Sequence, residues 1–481
     1  MAKEIDYGKI GLKCGLEIHQ QLDTKKLFCN CPSLLRQDNP DIEIKRKLHA
    51  VAGESGEIDT AASYEFSKNK DFIYQGYDTT CLIELDESPP REINKESLKI
   101  ALQISLLLNA KIFTTTQIMR KTVIDGSNTS GFQRTVLIAK DGFVETSYGK
   151  VMIETICLEE DSARIISRDN ENMVYRLDRL GIPLIEIATA PDIKNPVQAK
   201  EVALHLGNIL RSFKVKRGIG TIRQDVNVSI RNGKRVEIKG VQNLDLIKKS
   251  VEKEAERQYG LVNNKKTFDS EVRKILPDGK TEFLRPMPGA ARMYPETDLP
   301  LLKISRKIID ESKKEIPKLR HEIEEEFKKK GLNHEMIKIL FKKNKIDEFK
   351  ELLKILNNPN LIAKILLIYP KEISSRENIS FTKTEEILNF DVFDFIIRNL
   401  KNEKISESQV KHVLERILKG EELEKAIIFG KESENIIEEK ITKIIKSKPG
   451  LSLKAYMGLI MKEFRGKISG KEVMDIIKKY I

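Results

Sequence analysis

Two periodicities of apolar and polar residues divide this chain. Up to about Asp298 the two kinds alternate in short runs broken by Gly and Pro, the period-two pattern of half-buried strands. In Gly15-Leu16-Glu17-Ile18-His19-Gln20-Gln21-Leu22 the alternation sets Leu16 and Ile18 on one face and Glu17, His19 and Gln21 on the other. Val151 to Leu158 predicts another strand, running into an acidic turn at Glu159-Glu160-Asp161, and Leu184-Ile185-Glu186-Ile187 predicts a third. The stretch Ile222 to Lys239 reads as a β-hairpin. A two-residue Asn-Gly loop would oppose Val228 to Glu237 and mix both faces, whereas a three-residue loop pairs Val228 with Ile238 and Ile230 with Val236. The latter is preferred, because it leaves one apolar face and one face carrying Asp225, Asn227, Ser229, Glu237 and Lys239.

After Asp298 the period becomes helical. Leu319, Ile323 and Phe327 recur before Gly331, and Met336, Ile337, Leu340 and Phe341 repeat the pattern, as core-facing stripes rather than sites. From about Lys401 a further unit begins, with Ser406 or Ser408 capping a helix that carries Val410, Val413, Leu414, Ile417 and Leu418 and closes at Gly420. Two short helices around Arg465-Gly466-Lys467 end the chain. The expected class is α+β: a mixed, largely antiparallel β domain over 1–302, a helical region over 303–400 and a small basic helical domain over 401–481.

Composition supports real cores, since 40% of 481 residues are hydrophobic. No run approaches the roughly 20 apolar residues of a membrane span, and the start MAKEIDYGKI lacks the apolar stretch of a signal peptide, so the expectation is a cytosolic protein with no membrane partner. The formal charge of +12 favours a polyanionic partner, because cationic side chains gain affinity by releasing counterions from phosphates. The excess is local: Lys440 to Ile481 holds eleven Lys or Arg against three Asp or Glu. Five cysteines form an odd, sparse set that suits reduced thiols. Cys29 and Cys31 have zinc-ligand chemistry, but no second Cys or His pair follows at matching spacing, so the sequence argues against a zinc site.

Three groups of residues carry candidate chemistry. Glu17 and His19 project side by side from a strand whose other face is core. Glu159, Glu160 and Asp161 would repel one another without a cation, and hard oxygen donors of this kind suit magnesium bridged to substrate phosphates. Arg120-Lys121 leads into the small, flexible segment Asp125-Gly126-Ser127-Asn128-Thr129-Ser130-Gly131-Phe132-Gln133, whose backbone N–H groups and Lys121 could cradle phosphate. No GxxxxGK[ST] or GxSxG motif occurs, which disfavours P-loop and nucleophile-elbow chemistry.

At these positions the chain resembles a known family, the B and E subunits of glutamyl-tRNA(Gln) amidotransferases. The resemblance rests on GLEIHQQLDTKKLFCNCPS, LEEDSARI, DRLGIPLIEIATAPD, RQDVNVSI and LRPMPGAARMYPETD, which occur in that order, and on the tail MGLIMKEFRGKISGKEV. The wording HQQLDTKKLFCNCPS and RPMPGAARMYPETD is similar to the archaeal E type. E subunits commonly carry an insert resembling one in aspartyl-tRNA synthetases before the last motif; here only about Gln258 to Phe283 occupies that place.

The resemblance implies a cradle-shaped catalytic domain that uses ATP and Mg2+ to phosphorylate the γ-carboxyl of tRNA-bound glutamate and then amidates it. It implies metal ligands at Glu17, His19 and Glu160, with Glu159, Glu186 and Asp225 as further acids, although His19 is equally a hydrogen-bonding residue because magnesium prefers oxygen. It also implies phosphate or carboxylate contacts from Lys121, Ser127, Asn128, Arg223, Lys239 and Arg179, and tRNA contacts from Lys462, Arg465, Lys467 and Lys471. The implied partners are glutamate-charged tRNA(Gln) and an asparaginase-like D subunit that supplies ammonia; a bacterial B-type chain would act with A and C subunits instead. A non-catalytic tRNA-binding scaffold is the rival reading.

Overall fold

The computed structural model describes the backbone of residues 5–47, 63, 66, 67, 69–169, 171–218, 220–287, 293–343, 345–428, 434–463 and 470–480, and their side chains apart from 434–437, 462, 463 and 470–472. The chain divides into two compact units, Met1–Arg320 and His321–Ile481.

The first unit is built on β1 (Lys13–Gln21), β2 (Ile42–Arg46), β3 (Asp71–Gly76), β4 (Lys111–Ile112), β5 (Thr115–Thr116), β6 (Ile118–Thr122), β7 (Phe132–Thr146), β8 (Gly149–Glu160), β9 (Arg164–Arg168), β10 (Asn172–Arg176), β11 (Pro183–Thr189), β12 (Ile222–Ser229), β13 (Val236–Lys239), β14 (Glu271–Ile275), β15 (Thr281–Pro286), β16 (Met293–Pro295) and β17 (Leu302–Lys303). An 11-stranded sheet runs β15-β14-β13-β12-β1-β11-β8-β7-β6-β16, with β4 beside β7. All of its pairings are antiparallel except β13 with β14.

This sheet is strongly curled. Crossing ten flat strands takes about 43 Å, whereas the link from Pro286 on one edge to Met293 on the other reaches at most about 25 Å. The edges must therefore bend toward each other, which agrees with the cradle expected from the family resemblance.

Three helices supply apolar side chains to the core beneath one face: α1 (Lys95–Leu107), α2 (Pro196–Leu210) and α3 (Leu244–Asn263). Asn94, Asn195 and Asn243 cap them, each side chain accepting a first-turn N–H that would otherwise lack a partner. The core beneath includes Leu16, Ile18, Val136, Leu158, Ile185, Ile187, Val226 and Val228. Each is a sequence neighbour of a polar residue on the opposite face, so the period-two pattern translates directly into one greasy and one polar surface. A smaller sheet, β2-β3-β10-β9, has its own core around Tyr74 and Tyr175.

The β12–β13 hairpin departs from the sequence expectation. Its register is Val226 with Ile238, Asn227 with Glu237 and Val228 with Val236, two residues from the expected pairing, and Ile230 to Arg235 form a longer connection. A shift of two preserves the faces, so Asp225, Asn227, Glu237 and Lys239 still share the polar side.

The first unit also extends past residue 302, because α4 (Arg306–Lys314) sends Ile308 and Ile309, with Leu319 beyond it, onto the same core. In the second unit one apolar cluster runs from Ile323 to Ala426 and includes Val410, Val413, Leu414, Ile417 and Leu418. A boundary at 401 therefore cuts through a shared core. The separate tail cluster consists of Ile441, Ile445, Tyr456, Ile460, Val473 and Ile477. Of the expected tRNA contacts, Arg465 and Lys467 lie outside the described residues, as do the side chains of Lys462 and Lys471. Among the described residues no helix is long and apolar enough to cross a membrane.

Candidate functional site

The polar face is densest at the middle of the sheet, where register does the assembling. On β1, His19 lies opposite Glu186 of β11 and Arg223 of β12, while Glu17 lies opposite Asp225. Cys157 of β8 adjoins Glu186, and Thr135 of β7 adjoins Glu159. His19 Nε2 is 3.2 Å from Glu186 Oε2. Lys121 Nζ donates to Glu159 Oε1 at 3.1 Å and to Glu186 Oε2 at 3.5 Å. Lys121 and Glu186 are three strand spacings apart, about 14 Å in a flat sheet, so their contact also requires the sheet to curl toward this face. Gln133 Nε2 at 3.1 Å and Thr135 Oγ1 at 2.8 Å complete the shell of Glu159.

Electrostatics make these carboxylates unequal. Burial and the neighbouring Glu186 charge push the Glu159 carboxyl up. Burial opposes ionisation of Glu186 as well, yet Lys121 and His19 hold its carboxyl well below the ordinary range. The two behave as one coupled pair, with Glu186 the firmer anion. Glu159 above all, with Glu186, holds the Lys121 ammonium protonated far above neutrality.

A second group adjoins the first. Glu17 accepts from Asn227 Nδ2 at 3.1 Å, and Lys239 Nζ reaches Asp225 at 2.8 Å and Glu237 at 2.5 Å. His19, Glu159 and Glu186 each offer a ligand atom within 4.8 Å of the others, and so do Glu17, Asp225 and Glu237. These are oxygen-rich donor sets that suit a hard divalent cation, with His19 the one nitrogen. Lys121 and Lys239 neutralise part of their charge. Beyond His19, buried Asp161 receives Arg223 Nη2 at 2.8 Å and Gln21 Nε2 at 2.6 Å, with Arg179 Nε at 3.7 Å.

Glu160 does not join this face. The structure extends β8 through Glu159 and Glu160, where the sequence suggested a turn, so the two side chains point oppositely. Glu160 accepts instead from the Arg134 backbone N–H at 3.2 Å and lies 3.4 Å from its guanidinium. The expected metal set Glu17, His19, Glu160 is therefore not brought together; Glu159 and Glu186 stand with His19, while Glu17 stands with Asp225 and Glu237. Sequence reasoning missed Thr135 and the contact of Gln133 with Glu159; alternation along β7 puts both residues on one face.

Ser127 and Asn128 sit in the β6–β7 loop. At Gly126, with φ of 78°, a Cβ would lie 2.3 Å from the Phe72 ring, so only glycine fits. Ser127 donates to Asp125 at 2.7 Å. Asn128 is buried with neither amide nitrogen nor oxygen paired, the kind of orphan that a ligand or water would satisfy.

A separate cluster supplies the donors that the local sequence around Cys29 and Cys31 lacked. Cys29, Cys31, Cys81 and Glu84 bring three thiols and a carboxylate within 4.8 Å of one another. Three sulfurs and an oxygen in this arrangement are donors for zinc. The ligands missing from the local sequence arrive from about fifty residues downstream, through the fold.

A curled, mostly antiparallel sheet thus carries, on one polar face, acid clusters interleaved with lysines, a donor set that suits a divalent cation. Residues 12–310 match the profile of the GatB/GatE catalytic domain. The chain is 39% identical to the E subunit of the glutamyl-tRNA(Gln) amidotransferase of Methanocaldococcus jannaschii, with 99% of each protein covered. Identity to the E subunit of the Methanosarcina barkeri enzyme is 36% over 99% of this chain and 98% of the relative, and to that of Thermococcus gammatolerans 34% over 100% and 99%. The chain belongs to the family of glutamyl-tRNA(Gln) amidotransferase E subunits. The alignment with the Methanocaldococcus protein spans 632 positions against 481 residues here, so the relative carries sequence that this chain lacks.

Proposed function

We propose that this chain performs the ATP-dependent amidation of glutamate esterified to tRNA(Gln). The observation that carries this reading is the pair of acid clusters, His19-Glu159-Glu186 and Glu17-Asp225-Glu237, interleaved with Lys121 and Lys239 on one face. A carboxylate is a poor electrophile, so its oxygen first attacks the γ-phosphorus of ATP and ADP departs. Ammonia then attacks the carbonyl carbon, phosphate leaves, and the nitrogen gives up a proton to become the amide.

Both reactants of the first step are anions, and the main demand is screening and alignment. Magnesium held by the acid clusters supplies charge neutralisation at the phosphates. Lys121 and Lys239, released from their carboxylates, face phosphate oxygens, and Arg223 with Arg179 forms a cationic end beside His19. Ser127 and Asn128 contribute from the loop, where the orphaned amide of Asn128 has a partner to gain. Ammonia must arrive uncharged, from an amide-hydrolysing D subunit, because ammonium has no lone pair. The basic tail, with Lys462, Arg465, Lys467 and Lys471, holds the tRNA through its backbone and shape.

The test is ATP hydrolysis with magnesium and ammonium, with and without Glu-tRNA(Gln). RNA-dependent turnover yielding Gln-tRNA(Gln) is expected. RNA-independent turnover would indicate a ligase for a free amino acid, and no turnover would indicate a scaffold. Glutamine-dependent product from the purified chain alone would contradict the need for a partner.

A further inference from the structure

Each of three strands at the site presents a pair of adjacent residues, one to each face. Lys121, Gln133 and Glu159 point into the site, while Arg120, Arg134 and Glu160 point to the other side. The second trio is joined by one residue from far along the chain, Glu296, whose side chain is fully buried. Glu296 Oε1 is 2.5 Å from Arg120 Nη2, and Glu296 Oε2 is 2.7 Å from Arg134 Nε. Arg134 continues to Glu160, so an unbroken chain of charges runs Arg120-Glu296-Arg134-Glu160 across β6, β7 and β8.

Glu296 is itself fixed. Its backbone N–H donates to Ile118 O at 2.9 Å, its carbonyl accepts from Gln117 Nε2 at 3.2 Å, and the Asp298 N–H donates to its carboxylate at 3.0 Å. The Phe132 ring lies 4.6 Å from the Arg120 guanidinium and 5.1 Å from that of Arg134, shielding both from water. A buried carboxylate shared by two arginines sets spacing and register more sharply than apolar contact does, since each fork accepts few geometries.

We propose that Glu296 is a positioning residue that holds Lys121 against Glu159 and Glu186 by clamping Arg120 and Arg134 from the opposite face. The inference rests on the reading of that face as the reaction site. Without the clamp β6 is held to β8 by the ladders through β7 alone, and Lys121 shifts from the carboxylates. Two consequences follow. Turnover falls on the order of 10²-fold, the usual cost of about 1 Å of misplacement. The carboxylates, relieved of their ammonium, bind a divalent cation more tightly, about fivefold for the partial loss of one ion pair.

The experiment is a double-mutant cycle on the full chain with Glu296→Gln and Lys121→Met, read both as turnover and as Mn2+ affinity by electron paramagnetic resonance. Positioning through Lys121 predicts that E296Q changes both quantities in the wild-type background and changes neither by more than about twofold in the K121M background. An E296Q effect on Mn2+ affinity that persists at full size alongside K121M, or no effect at all, overturns the proposal. Arg120→Lys, which keeps the charge but loses the fork, gives the same cycle if E296Q does not fold. The Mn2+ arm needs no amidation: coupling there without any Glu-tRNA(Gln) turnover would sustain the clamp and refute the proposed reaction.

Discussion

Glu159 and Glu160 are chemically identical neighbours on opposite faces, so replacing each by Gln isolates orientation from composition. In E159Q the site loses a carboxylate that is 2% exposed and 3.1 Å from Lys121. A unit charge pair at about 4 Å is worth about 4 kcal/mol at an effective dielectric near 20. Glu159 already engages Lys121, and the net loss to a bound cation is therefore smaller, about 2 to 3 kcal/mol, or roughly 30- to 150-fold in affinity. Glu160 donates nothing to the cation sites. In E160Q the amide oxygen still accepts the Arg134 N–H, and Arg134 keeps Glu296, so the expected cost is about 1 to 3 kcal/mol of stability. Mn2+ titration and urea unfolding of both variants separate the two outcomes. Mn2+ affinity that falls equally in E159Q and E160Q would refute the placement of Glu160 off the site.

Three further outcomes are expected. Purified under reducing conditions, the protein should carry about one zinc per chain at Cys29, Cys31, Cys81 and Glu84; metal analysis before and after Cys81→Ser checks this, and an unchanged zinc content would exclude that donor set. Burial opposes ionisation of the Glu296 carboxyl, yet Arg120 and Arg134 hold it below the usual 4.5, so its stabilisation is complete above that value and is lost as pH falls through the lowered pKa; the stability gap between wild type and E296Q, from urea unfolding, should narrow below about pH 4.5, and a gap that widens on acidification would contradict the sign. Ending the chain after Ile428 should preserve the helical core while raising the KM for Glu-tRNA(Gln), whereas ending it at Lys401 removes Val410, Val413, Leu414, Ile417 and Leu418 from a shared core, about 10 kcal/mol of apolar burial; equal melting temperatures for the two truncations would refute the common core.

The sequence carried the parity of each strand. Alternation placed Leu16 and Ile18 in the core and Glu17 and His19 on the working face, and for Asp225, Asn227, Glu237 and Lys239 it survived an error of two residues in hairpin register, because a shift of two returns every side chain to its face. The helical stripes after residue 302 were legible for the same reason, as their spacing is local, except that Leu319 precedes its helix and packs on the first unit's core while Ile323 and Phe327 pack in the second. Strand ends and long-range partners were not legible. Nothing local says that β8 continues through Glu160, and a single residue of extension moves that carboxylate from the site to its reverse side. Cys29 and Cys31 likewise looked incomplete until the fold delivered Cys81 and Glu84.

These errors share one physical origin with the clamp at Glu296. Period-two geometry makes a residue's face a local property, whereas the distance between residues on different strands depends on strands that are remote in sequence. Lys121, Glu159 and Glu186 come from three strands, and no single strand can set their separations. Fixing the first two of these strands against each other calls for a second set of directional contacts between β6 and β8. The ion chain through Glu296 links β6, β7 and β8 in this way from the reverse face, so the adjacent residues Arg120 and Lys121, and likewise Glu160 and Glu159, divide the work: one ties the strand to its neighbours and the other faces the acid cluster.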